Sequence, residues 1–130
     1  KNLIMSLEQY TIEFTINTSP KVLFYRLSSP GGLSEWFADD VNLQGKIFTF
    51  IWDGSEQQAE LLLKKDNKYV RFKWLDDEEE DSFFEFKINI DELTRDVALL
   101  ITDFAEEDEK ADAIELWTKQ IGNLKRTIGL

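Results

Sequence analysis

The chain contains no cysteine and no histidine. Without cysteine there is no disulfide, no thiolate nucleophile and no zinc–thiolate centre. Without histidine there is no Ser-His-Asp triad, no H-E-x-x-H metal site and no imidazole base. Any chemistry has to run on carboxylates, Lys, Tyr or Ser, so a catalytic role is disfavoured and no cofactor or transition metal is expected. Positive charge is also scarce: 15 Lys and Arg stand against 26 Asp and Glu, a formal net charge of −11. That balance repels phosphate backbones and anionic bilayers, which argues against nucleic-acid and membrane partners. No apolar run is long enough to span a membrane. Lys1 to Met5 is shorter than a secretory signal. Met5 reads as the native start, residues 1–8 as a flexible or extraneous leader, and the location as cytoplasmic by default.

What is present is apolar and unusually aromatic. Hydrophobic residues make up 42% and aromatics 13% of the 130 residues, with Phe dominant. This length suits one domain, residues 1–130, that buries roughly two thirds of its unfolded surface. No linker or internal repeat interrupts it.

Gln9–Ile16 alternates, with Tyr10, Ile12, Phe14 and Ile16 on one face, and reads as a half-buried strand. Ser19 and Pro20 are a helix cap and a first-turn residue. Val22, Leu23, Arg26 and Leu27 form the face of that short helix, and Ser28 to Gly32 stops it. Leu33–Phe37 reads as a second short helix. Strand-like segments follow at Asp40–Leu43, Lys46–Trp52, Gln58–Lys65, Tyr69–Trp74, Phe84–Ile90 and Val97–Phe104. Ala59, Leu61 and Leu63 are expected on one side of the third of these. Asp53-Gly54-Ser55 and Asp66-Asn67-Lys68 are turn signals. Short turns between successive strands predict antiparallel neighbours. From about Asp108 the period becomes helical: Ile114, Trp117, Ile121, Leu124 and Ile128 lie on one stripe. Gly122 inside this helix costs about 1 kcal/mol relative to Ala and reads as a close backbone approach or a bend. The element order predicts a sheet curled around a helix, leaving a cavity.

Four blocks resemble the START-like superfamily, also known as the Bet v 1-like or helix-grip fold. They are Ser19–Leu27, Leu33–Phe37 ending on Trp36-Phe37, Asn67–Trp74, and the helix stripe Trp117, Ile121, Leu124, Ile128. Within it the chain resembles the group named for the activator of the heat-shock-protein ATPase. The resemblance implies an α+β fold: a curved antiparallel sheet of six or seven strands around a long C-terminal helix, with two short helices after the first strand. Many members of that superfamily hold a hydrophobic ligand between sheet and helix. Others bind proteins, and some are cyclases or hydrolases, so the fold alone does not assign an activity.

The candidate pocket wall is Phe48, Phe50, Phe72, Trp74, Phe84 and Phe86 from the sheet. Trp36 and Phe37 are expected to close one end, and Trp117 and Ile121 to form the helix side. Two readings stand: an apolar cavity for a small hydrophobic or amphipathic molecule, or a core filled by these rings. The expected partner is accordingly a small apolar molecule or, through the acidic surface, another protein. Asp76 to Asp81 lacks the spacing of a calcium loop and reads as a solvated hairpin tip. Asp39-Asp40 reads as a loop pair at a strand entry. Asp103 is the carboxylate of interest, but Leu99-Leu100 leaves the inward face of its strand ambiguous.

Overall fold

The computed structural model describes residues 6–130, so the reading of Lys1–Met5 lies outside the described residues. The elements are β1 (Leu7–Thr15), α1 (Pro20–Ser28), α2 (Pro30–Leu33), β2 (Asp40–Gln44), β3 (Ile47–Trp52), β4 (Ser55–Lys65), β5 (Tyr69–Trp74), β6 (Phe84–Ile90), β7 (Val97–Glu106) and α3 (Lys110–Ile128). A 3-10 turn, Glu107–Glu109, leads into α3. The strands form one curved antiparallel sheet in the order β1-β7-β6-β5-β4-β3-β2. Its inner face carries α3, with α1 and α2 at one end. This is the α+β helix-grip arrangement that the family resemblance implies, and the sheet curled around a helix expected from the element order. Leu7 and Glu8 fall inside the stretch expected to be flexible, yet they pair with Glu106 and Ala105 as the start of β1. The long β7 supplies the backbone partners that hold them.

Ser19 caps α1, its Oγ accepting from Val22 N at 3.1 Å. The buried face of α1 is Leu23, Phe24, Leu27 and Ser28, while Val22 is exposed, contrary to the face read from sequence. The second helix also begins earlier than expected. Ser29 ends α1 and caps α2, accepting from Gly32 N at 3.0 Å, with Pro30 in the first helical position. Leu33 is therefore the last residue of α2, and Trp36-Phe37 lie in the turn beyond it. Gly32 is required by close packing: a Cβ there would meet Tyr25 O at 2.1 Å and Arg26 Cα at 2.6 Å.

Asp53 (φ 49°) and Gly54 (φ 86°) make the tight β3–β4 turn. It brings Ser55 opposite Trp52, so β4 starts three residues before the strand read from sequence. A register shift then separates Leu61, opposite Phe72, from Leu63, opposite Arg71. Leu61 packs against the core and Leu63 is turned to solvent, correcting the expected shared face. Pairing of β7 with β1 and β6 sets its inner face as Leu99, Ile101, Asp103 and Ala105: Ile101 lies opposite Ile12 and Phe86, and Asp103 opposite Tyr10.

The α3 stripe faces the sheet, with Trp117, Ile121 and Leu124 buried and Ile114 and Ile128 packed at its ends. Gly122 is not a close-approach glycine, because a Cβ there meets only the Arg126 guanidinium at 4.0 Å. The acidic β5–β6 hairpin is tied down by a lysine of β5. The Lys73 ammonium donates to Glu79 O at 2.5 Å, Ser82 O at 2.9 Å and Ser82 Oγ at 3.2 Å. Ser82 Oγ in turn donates to Asp77. Among the described residues, no three carboxylates converge into a metal-binding group.

Candidate ligand cavity between the sheet and the C-terminal helix

The inner-face rings of β3, β5 and β6 alternate in sequence and so meet on one side of the sheet. Phe48, Phe50, Phe72, Phe84 and Phe86 are almost fully buried. They pack on one another, with centroids 5.1 Å apart for Phe48–Phe72 and for Phe72–Phe84, and 5.8 Å for Phe84–Phe86. Edge and offset contacts at these separations are the favoured aromatic arrangements. With Ile121 they form a filled core at the middle of the grip. None of these six candidates lines either of the two cavities described next.

Space remains toward one end of the sheet. A cavity of about 410 Å³ is lined by Phe37, Trp52, Gln57, Trp74, Asp103, Ala113, Leu116, Trp117 and Gln120. Phe37, Trp74 and Trp117 are thus the candidates that reach it. Phe37 stacks on Trp117 with centroids 5.8 Å apart, and Trp52 leans on Trp74 at 6.1 Å. The Trp52 indole donates to Phe37 O at 2.6 Å, which fixes the turn after α2 against β3. Trp36 is directed the other way, donating through Nε1 to Arg26 O at 2.7 Å. It lines a second, more polar recess of about 660 Å³ with Phe37, Asp39, Asn123 and Arg126. Phe37, Trp52 and Gln120 belong to both, with Gln120 Nε2 donating to Phe37 O at 3.5 Å along the divide. Asp39 of that recess is committed elsewhere, accepting from Asp53 N at 2.7 Å, in keeping with a loop pair at the strand entry. Apolar surface dominates the smaller cavity, which makes it the better candidate for a ligand site.

Asp103 faces this cavity. Its Oδ1 accepts from Phe104 N at 2.8 Å, and its Oδ2 accepts from Trp117 Nε1 at 3.0 Å and Tyr10 OH at 3.5 Å. Burial pushes the Asp103 carboxyl above its ordinary value. The three donors oppose that rise, and the Asp77 charge adds to it. The Tyr10 phenol is pushed well up, by burial first and by the Asp103 charge second.

Sequence reasoning missed Trp52 as a wall, and it missed Gln57, Leu116 and Gln120. Trp52 carried a signal, since it continues the Phe48, Phe50 face of β3. Gln57 lies opposite Phe50 on the inner face of β4, in the segment that sequence placed outside the strand. Gln120 precedes Ile121 on α3 and reads as an ordinary flank of the stripe.

A family model for the START-like superfamily domain matches residues 5–130. The chain is 42% identical to BfR322 from Bacteroides fragilis, a solution structure, with 97% of this chain and 94% of that one covered and a TM-score of 0.69. It also resembles the Aha1 dimer from Colwellia psychrerythraea, at 19% identity, 91% and 93% coverage and a TM-score of 0.76. MLL2253 from Mesorhizobium loti is similar at 18% identity, 93% and 96% coverage and a TM-score of 0.75. The last two likenesses concern the fold alone. No curated protein matches the sequence. With a family model spanning nearly its whole length, a seven-stranded sheet gripping a C-terminal helix and a cavity at their junction, the chain belongs to the START-like superfamily.

Proposed function

We propose that the chain is a non-enzymatic binding module for a small hydrophobic or amphipathic molecule, held between the sheet and α3. The observation that carries this reading is the cavity itself. Its volume of about 410 Å³ falls within the usual range for ligand sites, and its walls are Phe37, three tryptophans, Ala113 and Leu116 with a few polar groups. Asp103 is the sole ionisable side chain among its lining residues, which favours binding over catalysis.

The test uses the indole N–H signals of Trp52, Trp74 and Trp117, each assigned by single replacement, during titration with a panel of aliphatic and aromatic alcohols. Saturable shifts at these three, with Trp36 moving less, are expected. A panel that produces no saturable shift, or shifts spread evenly over all four tryptophans, refutes the reading.

A co-chaperone-like protein interaction is the second reading. Its support is the acidic surface, net charge −11, and the shared fold with the Aha1 dimer. It predicts a partner with a basic face and an association that weakens with salt.

A further inference from the structure

We infer that this cavity selects a cationic amphiphile, an alkylammonium whose head sits on the Asp103 carboxylate between the tryptophan walls and whose tail lies along Ala113 and Leu116. The inference rests on the ligand-binding reading above and adds the charge of the ligand to it.

Three observations converge. First, the lining residues include one carboxylate and neither Lys nor Arg. An anionic head, such as a fatty acid's, would meet Asp103 with no counter-charge in the wall, and Asp77 is close enough to Asp103 for their charges to repel. Second, Asp103 has an acceptor position to spare. A carboxylate offers about four lone-pair sites, and three donors are bound, two on Oδ2 and only Phe104 N on Oδ1. A ligand N–H directed at Oδ1 completes the set and returns to the carboxylate the counter-charge that burial denies it. Third, Trp52, Trp74 and Trp117 line the cavity together with Asp103, and indole rings attract an ammonium or its methyl groups. The surface charge of −11 works in the same direction by concentrating cations around the molecule. A neutral alcohol satisfies the acceptor but gains nothing from the other two features.

Octylammonium, octanol and octanoate share one tail and differ in head charge, so the full chain is titrated with each at neutral pH and low salt. Binding is followed by the tryptophan indole signals and by the Asp103 carboxyl carbon. Octylammonium is expected to bind about tenfold more tightly than octanoate, to move the Asp103 carboxyl signal, and to weaken as salt rises. Asp103→Asn is expected to remove most of that tenfold preference of octylammonium over octanoate. If Asp103→Asn does not fold, the ranking of the three ligands on the parent and the carboxyl signal decide the matter alone. Equal binding of octylammonium and octanoate, or ammonium binding that leaves the Asp103 signal in place, overturns the charge selection and leaves the cavity reading standing. Failure of all three, alongside failure of the alcohol panel, overturns both.

Discussion

Trp117 joins the filled core to the cavity, so its replacement separates packing from hydrogen bonding. The indole is 7% exposed, stacks on Phe37, meets the edge of Phe86 at 5.7 Å and donates to Asp103. Removing a buried Trp to Ala costs about 3–5 kcal/mol. Part of the Trp117 surface already borders the cavity, so fewer packing contacts are lost than in a closed core, which sets Trp117→Ala near the lower end, about 3 kcal/mol. Trp117→Phe keeps most of the ring contact and loses the N–H, leaving the Asp103 carboxylate one donor short. A hydrogen bond to a charged group is worth about 1.5–3 kcal/mol, and partial solvent access from the cavity reduces it, so about 1.5 kcal/mol is expected. Urea denaturation followed by far-UV circular dichroism measures both, with the slope against urea unchanged between variants. A second readout is specific to the hydrogen bond: the Asp103 carboxyl should titrate higher in Trp117→Phe than in the parent, because one of the groups that lowers its pKa is gone. The reasoning is refuted if Trp117→Ala costs less than about 1 kcal/mol, if Phe is as costly as Ala, or if the Asp103 titration stays in place.

The glycines of the helices should behave oppositely. Gly32→Ala drives a Cβ into the Tyr25 carbonyl and is expected to cost about 3 kcal/mol, whereas Gly122→Ala meets only the Arg126 guanidinium at van der Waals distance and should stabilise by about 1 kcal/mol; thermal unfolding of both tests the pair, and equal signs would sink it. Asp103 should make stability fall as pH rises. Its folded pKa lies above the ordinary 3.8, so the native state holds the proton more tightly than the unfolded chain. The contribution is present below 3.8 and is lost as pH climbs through the raised folded value. The stability of Asp103→Asn relative to the parent is therefore expected to grow with pH across that window, measured by urea denaturation at a series of pH values. A difference that stays flat, or shrinks as pH rises, contradicts it.

Much of the architecture is a local property and is readable as such. The period-two runs of β3, β5 and β6, the Ser19-Pro20 cap and the 3-4 spacing of Trp117, Ile121 and Leu124 each report the geometry of a single element. The features that escaped depend on a neighbour. The side on which Leu63 falls is decided by a bulge that exists only between β4 and β5. The inner face of β7, ambiguous at Leu99-Leu100, is decided by its register with β1 and β6. The early start of α2 depends on Ser29 serving two helices at once.

The same division holds for the candidate site. By itself, the sequence determined that aromatic side chains would collect on one face of the sheet opposite an apolar helix stripe, because alternation and helical spacing leave them no other common surface. It also determined that no thiol or imidazole chemistry would be available. Only the tertiary structure decided which rings fill the core and which border a void. Phe48, Phe50, Phe72, Phe84 and Phe86 consume one another's free surface, while Phe37, Trp52, Trp74 and Trp117 are left around an opening with Asp103. A void is the difference between the space enclosed by seven strands and a helix and the summed volume of the side chains sent into it, and neither quantity belongs to any one segment of the chain.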